Sequence, residues 1–244
     1  MKIAFLHAGF PPESISPKHG DYLSMFKKSF LGCDTPIELV DFQVQKGELP
    51  NLEDCFDGYI CCGSANSVYD AEPWIPPLLN FVKKLSKKDG PMVGICFGHQ
   101  LIAKALGGRV EKAKTGWGLG NKPGKVLHDV AWMTPPLQRV NLLYSHQDQV
   151  VQLPKNSLLL ISTDHCPNAA FIIANRFLAI QGHPEFEPPY LDALMESRRH
   201  KIGAELVDQA KDSLTLELNN NEVVRWIANF LLSAIRKCKD RRYQ

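Results

Sequence analysis

The sequence predicts a doubly wound α/β fold: a largely parallel central sheet, helices on both of its faces and a smaller region of antiparallel strands. Three observations predict it. Short apolar runs alternate with helical patterns over the first 110 residues, short strands and turns follow between Arg109 and Gln181, and a helical tail begins at about Pro188. Strands that alternate with helices of this length form parallel sheets that the helices cover.

The first part of the chain supplies the parallel strands. We expect strands at residues 2–8, 36–42, 58–62 and 91–95, and helices at residues 19–32, 74–87 and 97–106. In the segment 74–87, Leu78, Val82 and Leu85 recur at helical spacing, and Gly107 follows the segment 97–106 as a helix stop. These are the periodicity and the stop signal of helices that bury one face.

The second part is expected to add antiparallel strands that extend or flank this sheet. The segments are RVEKA, LLYSHQ, LLLISTD, AAFIIAN and FLAIQ. The glycine cluster at residues 116–124 lacks the strand and the Lys-Ser/Thr of a phosphate-binding loop, so we interpret it as a turn-rich loop. The tail carries one apolar helical stripe, formed by Val223, Val224, Ile227, Leu231 and Ile235.

Composition limits the function classes. The 244 residues contain no Gly/Ser-rich linker, which predicts a single domain over residues 1–244. A net charge of +2 gives no electrostatic case for nucleic acid, and no apolar run approaches the roughly 18–20 residues that cross a bilayer. Seven cysteines without a Cys-x-x-Cys pair predict a reduced, cytoplasmic protein with no metal site.

The segment from Gly94 to Gly98 places Cys96 between a predicted strand and a predicted helix. A Gly-x-nucleophile-x-Gly pattern at that position is typical of a nucleophile elbow, a sharp turn that exposes the nucleophile above the sheet. The helix N-terminus favours the thiolate form of the cysteine there. The alternative is that Cys96 is a buried structural cysteine and that the glycines allow close packing. Whether Cys96 is a nucleophile therefore depends on whether the sequence also supplies a base.

A base and its orienting group follow the apolar segment FLAI. Residues two apart in an extended segment lie on the same side, and Pro184 favours an extended conformation at His183. His183 and Glu185 can therefore project together, with the carboxylate fixing the imidazole tautomer. A lone histidine here would be interpreted as a surface residue, but the combination with the elbow cysteine is far more specific.

Cys96 in GICFGHQ and His183/Glu185 in GHPE resemble the class I glutamine amidotransferase family, which has a Cys-His-Glu triad. The similarity runs from Lys2 to about Ile235, and SVYDAEPWI is most similar to stand-alone, GMP-synthase-like members. The resemblance implies a flavodoxin-like arrangement of the sheet. It also implies attack by Cys96 on the glutamine side-chain amide, with no cofactor.

The resemblance implies further site residues. Gly63 and Phe97 would supply the oxyanion-hole amides, and the substrate contacts would be Gln100, Tyr144, Ser145 and His146. Gln100 could instead be an exposed helix residue, and His146 a structural hydrogen-bonding group. The segment Cys61-Cys62-Gly63-Ser64 departs from the consecutive glycines that are common in this loop of the family.

Several functions remain open at this point. The chain could be a glutaminase whose ammonia-accepting synthetase is a separate protein, since it has no phosphate-binding loop of its own. It could hydrolyse γ-glutamyl peptides or conjugates by the same covalent chemistry. It could also be a non-catalytic binding or regulatory protein on the same fold. A redox-sensing thiol protein is disfavoured because no resolving cysteine lies near Cys96 in the sequence.

Overall fold

The computed structural model describes residues 1–88 and 90–242, with side chains up to Ile235 in the last helix. The strands are β1 (Lys2–Leu6), β2 (Glu38–Phe42), β3 (Gly58–Cys61), β4 (Met92–Ile95), β5 (Arg109–Lys112), β6 (Gly118–Val126), β7 (Arg139–His146), β8 (Asp148–Gln152), β9 (Ser157–Thr163), β10 (Ala170–Ile173) and β11 (Phe177–Ile180). The helices are α1 (Ser16–His19), α2 (Tyr22–Phe30), α3 (Ile75–Leu85), α4 (Phe97–Ala105), α5 (Pro188–Ser197), α6 (Arg199–Ile202), α7 (Ala204–Asp212) and α8 (Asn220–Arg242).

Nine strands form one sheet in the order β2-β1-β3-β4-β11-β10-β9-β6-β7. The five strands from β2 to β11 pair in parallel, and those from β11 to β7 pair antiparallel. A separate antiparallel ribbon contains β5 and β8. The prediction of a largely parallel sheet with an antiparallel extension and flank is therefore confirmed.

Helices cover both faces of the sheet, as β3 shows. Gly58 faces α8, because a Cβ there would lie 3.0 Å from Leu231 Cδ2. The next residue, Tyr59, packs its ring 5.5 Å from that of Phe81 in α3. Since successive strand residues point to opposite faces, α3 and α8 lie on opposite sides of the sheet.

One prediction about the strands was correct in part and one was wrong. FLAIQ was grouped with the antiparallel strands, and β11 does pair antiparallel with β10, but it pairs in parallel with β4. Residues 116–124 were interpreted as a loop, but Gly118 begins β6, which pairs with β7 over eight positions. Glycine and proline lower strand propensity, and here a long cross-strand pairing outweighs that local preference.

Helix boundaries differ slightly from those predicted. The helix predicted at 19–32 is split, and α2 begins after Asp21, whose side chain accepts a 2.8 Å hydrogen bond from Ser24 N. Such an N-cap satisfies one of the free N–H groups of the first turn and thereby fixes where the helix starts. The tail is helical as predicted, but it is divided into α5 to α8.

Candidate active site

Cys96 lies at the sharp turn between β4 and α4, with φ 53° and ψ −99°. A side-chain-bearing residue is strained in this left-handed conformation. A Cβ on Gly94 would collide with the backbone of Gly98, and a Cβ on Gly98 would collide with the carbonyl of Cys61. The two flanking glycines are therefore required for the close approach of β3, β4 and α4, which forms the predicted elbow.

His183 follows β11 and is fixed by three contacts. Its backbone N–H donates to Leu143 O at 2.8 Å, and its Nδ1 lies 2.8 Å from Glu185 Oε1. The Phe186 ring stacks on the imidazole at 3.8 Å, with 6° between the planes. Since Nδ1 faces the carboxylate, Nε2 remains available for Cys96, and both side chains lie against Gly63, where a Cβ would be 3.1 Å from His183 Cε1 and 3.7 Å from Cys96 Cβ.

The pair His183–Glu185 is buried, with 3% and 4% of the two residues exposed. Burial alone lowers the pKa of His183, but the Glu185 carboxylate and the neighbouring Cys96 side chain outweigh it and raise that pKa to about 10. The imidazolium form is therefore favoured next to the sulfur. This is the charge state that a cysteine nucleophile needs in order to be a thiolate.

Gly63 lies directly against this pair. A Cβ at this position would be 3.1 Å from His183 Cε1 and 3.7 Å from Cys96 Cβ. The preceding residue, Cys62, accepts a 3.3 Å hydrogen bond from Ala8 N and donates a 3.4 Å one to the carbonyl of Gly63. Burial raises the pKa of the Cys62 thiol to about 12, which keeps it protonated as a donor. A cysteine thus fixes the loop where the family often has glycine.

The sulfur of Cys96 opens onto a cleft of about 130 Å³. This volume is well below the ~300–1,000 Å³ of typical cofactor sites, so the cleft suits a group of amino-acid size. Five predicted site residues line it: Cys96, Phe97, Gln100, Ser145 and His146. The first N–H groups of α4, including that of Phe97, have no partner within the helix and can bind an anion.

The predicted substrate-contact residues differ in whether they line the cleft. Gln100 is buried, and its amide nitrogen donates to Asp148 O and to Gln181 Oε1, both at 3.0 Å. Its side-chain oxygen is the part left for a ligand. Burial lowers the pKa of His146 to about 3, so this imidazole is neutral. Tyr144 does not line the cleft. It is buried in the core, and a Cβ on Gly182 would come within 2.9 Å of its Cζ.

Sequence reasoning missed other residues in the cleft. Arg198 and Lys201 reach it from the junction of α5 and α6, and Trp117 and Ser67 also line it. The helical periodicity of the tail could not predict that Arg198 and Lys201 line the cleft, because it does not show which side of α6 faces the site. Among the described residues, no cluster of three or more His, Cys, Asp or Glu side chains could hold a metal ion.

Comparison with known proteins identifies the family. The family model of glutamine amidotransferase class-I matches residues 19–199. The chain belongs to the class I glutamine amidotransferase family. In the part of the chain that the structure describes, no helix is long and apolar enough to cross a bilayer.

Relatives of this family member include γ-glutamyl peptidases and GMP synthases. γ-Glutamyl peptidase 2 of Arabidopsis thaliana is 30% identical over 228 residues, covering 87% of this chain and 88% of the relative. A GMP synthase (glutamine-hydrolysing) of Limosilactobacillus reuteri is 28% identical over 209 residues, or 81% of this chain but 39% of that protein. A glutamine amidotransferase structure from Thermotoga maritima matches the fold with a TM-score of 0.71 at 19% identity, covering 96% of both chains.

Proposed function

We propose that the chain is a cysteine hydrolase that cleaves γ-glutamyl amide bonds, with the side-chain amide of glutamine as the substrate that its family predicts. The observation that carries the proposal is the position of Cys96 at a strained elbow, beside a buried His183 whose Nδ1 lies 2.8 Å from Glu185 Oε1. Nucleophile, base and orienting carboxylate in this order are the arrangement of covalent amide hydrolysis.

In the first half of the proposed reaction, the Cys96 thiolate attacks the amide carbon. The N–H groups of Gly63 and Phe97 stabilise the oxyanion, and the His183 imidazolium gives its Nε2 proton to the leaving nitrogen. The carbon–nitrogen bond breaks, ammonia leaves, and a γ-glutamyl thioester remains on Cys96. Gln100, Ser145 and His146 contact the amino-acid end of the substrate, and Tyr144 supports them from the core.

In the second half, neutral His183 removes a proton from water. The resulting hydroxide attacks the thioester carbon, the carbon–sulfur bond breaks, and glutamate leaves with the thiolate restored. Glu185 holds Nδ1 of His183 throughout, so that Nε2 points towards the reacting atoms. Each step uses groups that are already buried together, which limits the reorganisation needed during the reaction.

A second candidate is the hydrolysis of γ-glutamyl peptides, in which an amine leaves instead of ammonia. The relatives support it: γ-glutamyl peptidase 4 of Arabidopsis thaliana is 31% identical over 214 residues, or 85% of this chain. If glutamine is the substrate, a synthetase has to accept the ammonia. The described cysteines are all unpaired, which supports a reducing, cytoplasmic location; the side chain of Cys238 lies outside the described residues.

Glutamate release by the purified chain tests the proposal. Free glutamine and a γ-glutamyl dipeptide are supplied separately to the wild type, to Cys96→Ala and to Cys55→Ala, a matched control at an exposed cysteine. We expect the wild type to release glutamate from at least one substrate. The rate should fall at least about 1,000-fold in Cys96→Ala and should be unchanged in Cys55→Ala. Release that survives Cys96→Ala would show that another group does the chemistry, and an unreactive Cys96 would favour a binding protein.

A further inference from the structure

Two cations reach the cleft from the junction of α5 and α6. Arg198 ends α5 and Lys201 follows three residues later, a spacing that places both on the same side of a helical turn. Both side chains line the cleft with Cys96. Arg198 is half-buried, whereas Lys201 is exposed at the rim.

Neither cation is neutralised by an acidic residue within the described part of the chain. Arg198 donates a hydrogen bond of 3.4 Å to Ser145 Oγ, and Lys201 Nζ lies 5.9 Å from the centre of the Trp117 ring. The neighbouring Arg199, which points away from the cleft, is paired with Glu196 at 2.7 Å and with Asp208 at 2.6 Å. The two cleft-lining cations thus lack the carboxylate partners that Arg199 has.

The cleft also contains one carboxylate, that of Asp148. Its two oxygens accept hydrogen bonds from the hydroxyl groups of Ser67 and of Tyr69, the latter at 2.6 Å. Hydroxyl donors stabilise the carboxylate without cancelling its charge. The cleft therefore presents two positive charges and one negative charge that no described side chain neutralises.

This charge pattern matches one class of substrate. A γ-glutamyl amino acid or short peptide carries two carboxylates, on the γ-glutamyl group and at the C-terminus of the leaving group, and one ammonium group. Glutamine carries one carboxylate and one ammonium group, and would leave one cation without a counterion. Electrostatic complementarity of this kind selects between otherwise similar ligands.

We infer that the substrate is a γ-glutamyl amino acid or peptide with a free C-terminal carboxylate, and that Lys201 binds this carboxylate. The inference rests on the second candidate function, the hydrolysis of γ-glutamyl peptides, and states what the leaving group must carry. The small cleft takes the γ-glutamyl group, with Arg198 on its carboxylate and Asp148 on its ammonium group. The leaving group then lies at the rim, where Lys201 is exposed. Cleavage consumes one water and yields glutamate and the free amine of the leaving amino acid.

The experiment compares γ-glutamylglycine with γ-glutamylglycinamide, which lacks only the terminal negative charge. The measured quantity is the ratio of kcat/KM for the acid to kcat/KM for the amide. We expect the wild type to prefer the acid by about three- to fivefold, the size of a partly exposed ion pair, and this preference to shrink at high salt. Lys201→Met should bring the ratio to about one, and Lys201→Arg should retain it.

Lys155→Met is the matched control, because Lys155 is exposed and does not line the cleft; it should keep the wild-type ratio. An equal ratio in wild type and Lys201→Met, with both dipeptides cleaved, overturns the inference and leaves the proposed hydrolase intact. Release from glutamine alone also overturns it and leaves the glutaminase. If Cys96-dependent release is absent for all three substrates, the proposed function fails together with the inference.

Discussion

Replacing Glu185 with glutamine removes one negative charge beside His183 and almost no volume. The carboxylate lies 2.8 Å from Nδ1, and its second oxygen, Oε2, is buried without a hydrogen-bond partner among the described residues. An amide fits the same space, so the fold should tolerate the change. The electrostatic effect is large because both side chains are excluded from water.

The magnitude follows from the charge state of the histidine. The rise in the pKa of His183 from 6.5 to about 10 corresponds to roughly 5 kcal/mol in favour of the imidazolium, at ~1.4 kcal/mol per pH unit. Two groups produce this rise against the effect of burial, and the charge of the Glu185 carboxylate is the largest single contribution. Losing about half of it, or about 2–3 kcal/mol, should lower kcat/KM roughly 100-fold.

Steady-state glutamate release across pH measures both consequences of Glu185→Gln. Besides the fall in kcat/KM, the alkaline limb of the profile should move to lower pH, because the imidazolium loses its proton more readily without the carboxylate. Glu187→Gln is the matched control, since that carboxylate is 59% exposed and pairs with Lys28. If the two variants lie within about threefold of each other and share the same alkaline limb, the reasoning is refuted.

Two further outcomes follow from the same site. Gly63→Ala should lower activity about 10- to 100-fold, because its Cβ would lie 3.1 Å from His183 Cε1 and displace the imidazole. The control is Gly32→Ala, whose Cβ would meet no described atom within 4 Å and which should keep full activity. Equal rates in the two variants would show that the His183 imidazole can move without loss of activity. The melting temperature should fall as pH rises from about 8.5 to about 10, because the unfolded chain has by then released the protons of both His183 and Cys96, whereas the folded pair keeps one on His183. His183→Gln should flatten this slope, and identical slopes would contradict the assignment.

Local sequence chemistry was sufficient to predict the parallel core and the catalytic elbow. Gly94 and Gly98 flank Cys96 because the backbones meet there, a constraint that can be read directly from glycine spacing. The placement of His183 and Glu185 followed from the extended conformation that Pro184 imposes. These predictions depend on neighbours within a few residues, which is the range over which sequence patterns are informative.

Predictions that depended on distant partners were less accurate. Periodicity marked β11 as a strand but carried no information on its direction relative to β4. The strand β6 was missed because its glycines and Pro123 have low strand propensity, and its pairing partner β7 begins 13 residues after it ends, at Arg139. The cleft contacts of Arg198 and Lys201 depend on how the tail packs against the sheet. Such information is present only in the assembled fold.

The backbone at Cys96 has a consequence for any attempt to stabilise this protein. A φ of 53° with a ψ of −99° is a conformation that glycine adopts at little cost and cysteine does not. The residue best suited to the fold at this position is therefore not the residue that the chemistry requires. A screen that ranks substitutions by thermal stability alone would select the loss of the nucleophile as an improvement, so position 96 must be held fixed in such a screen.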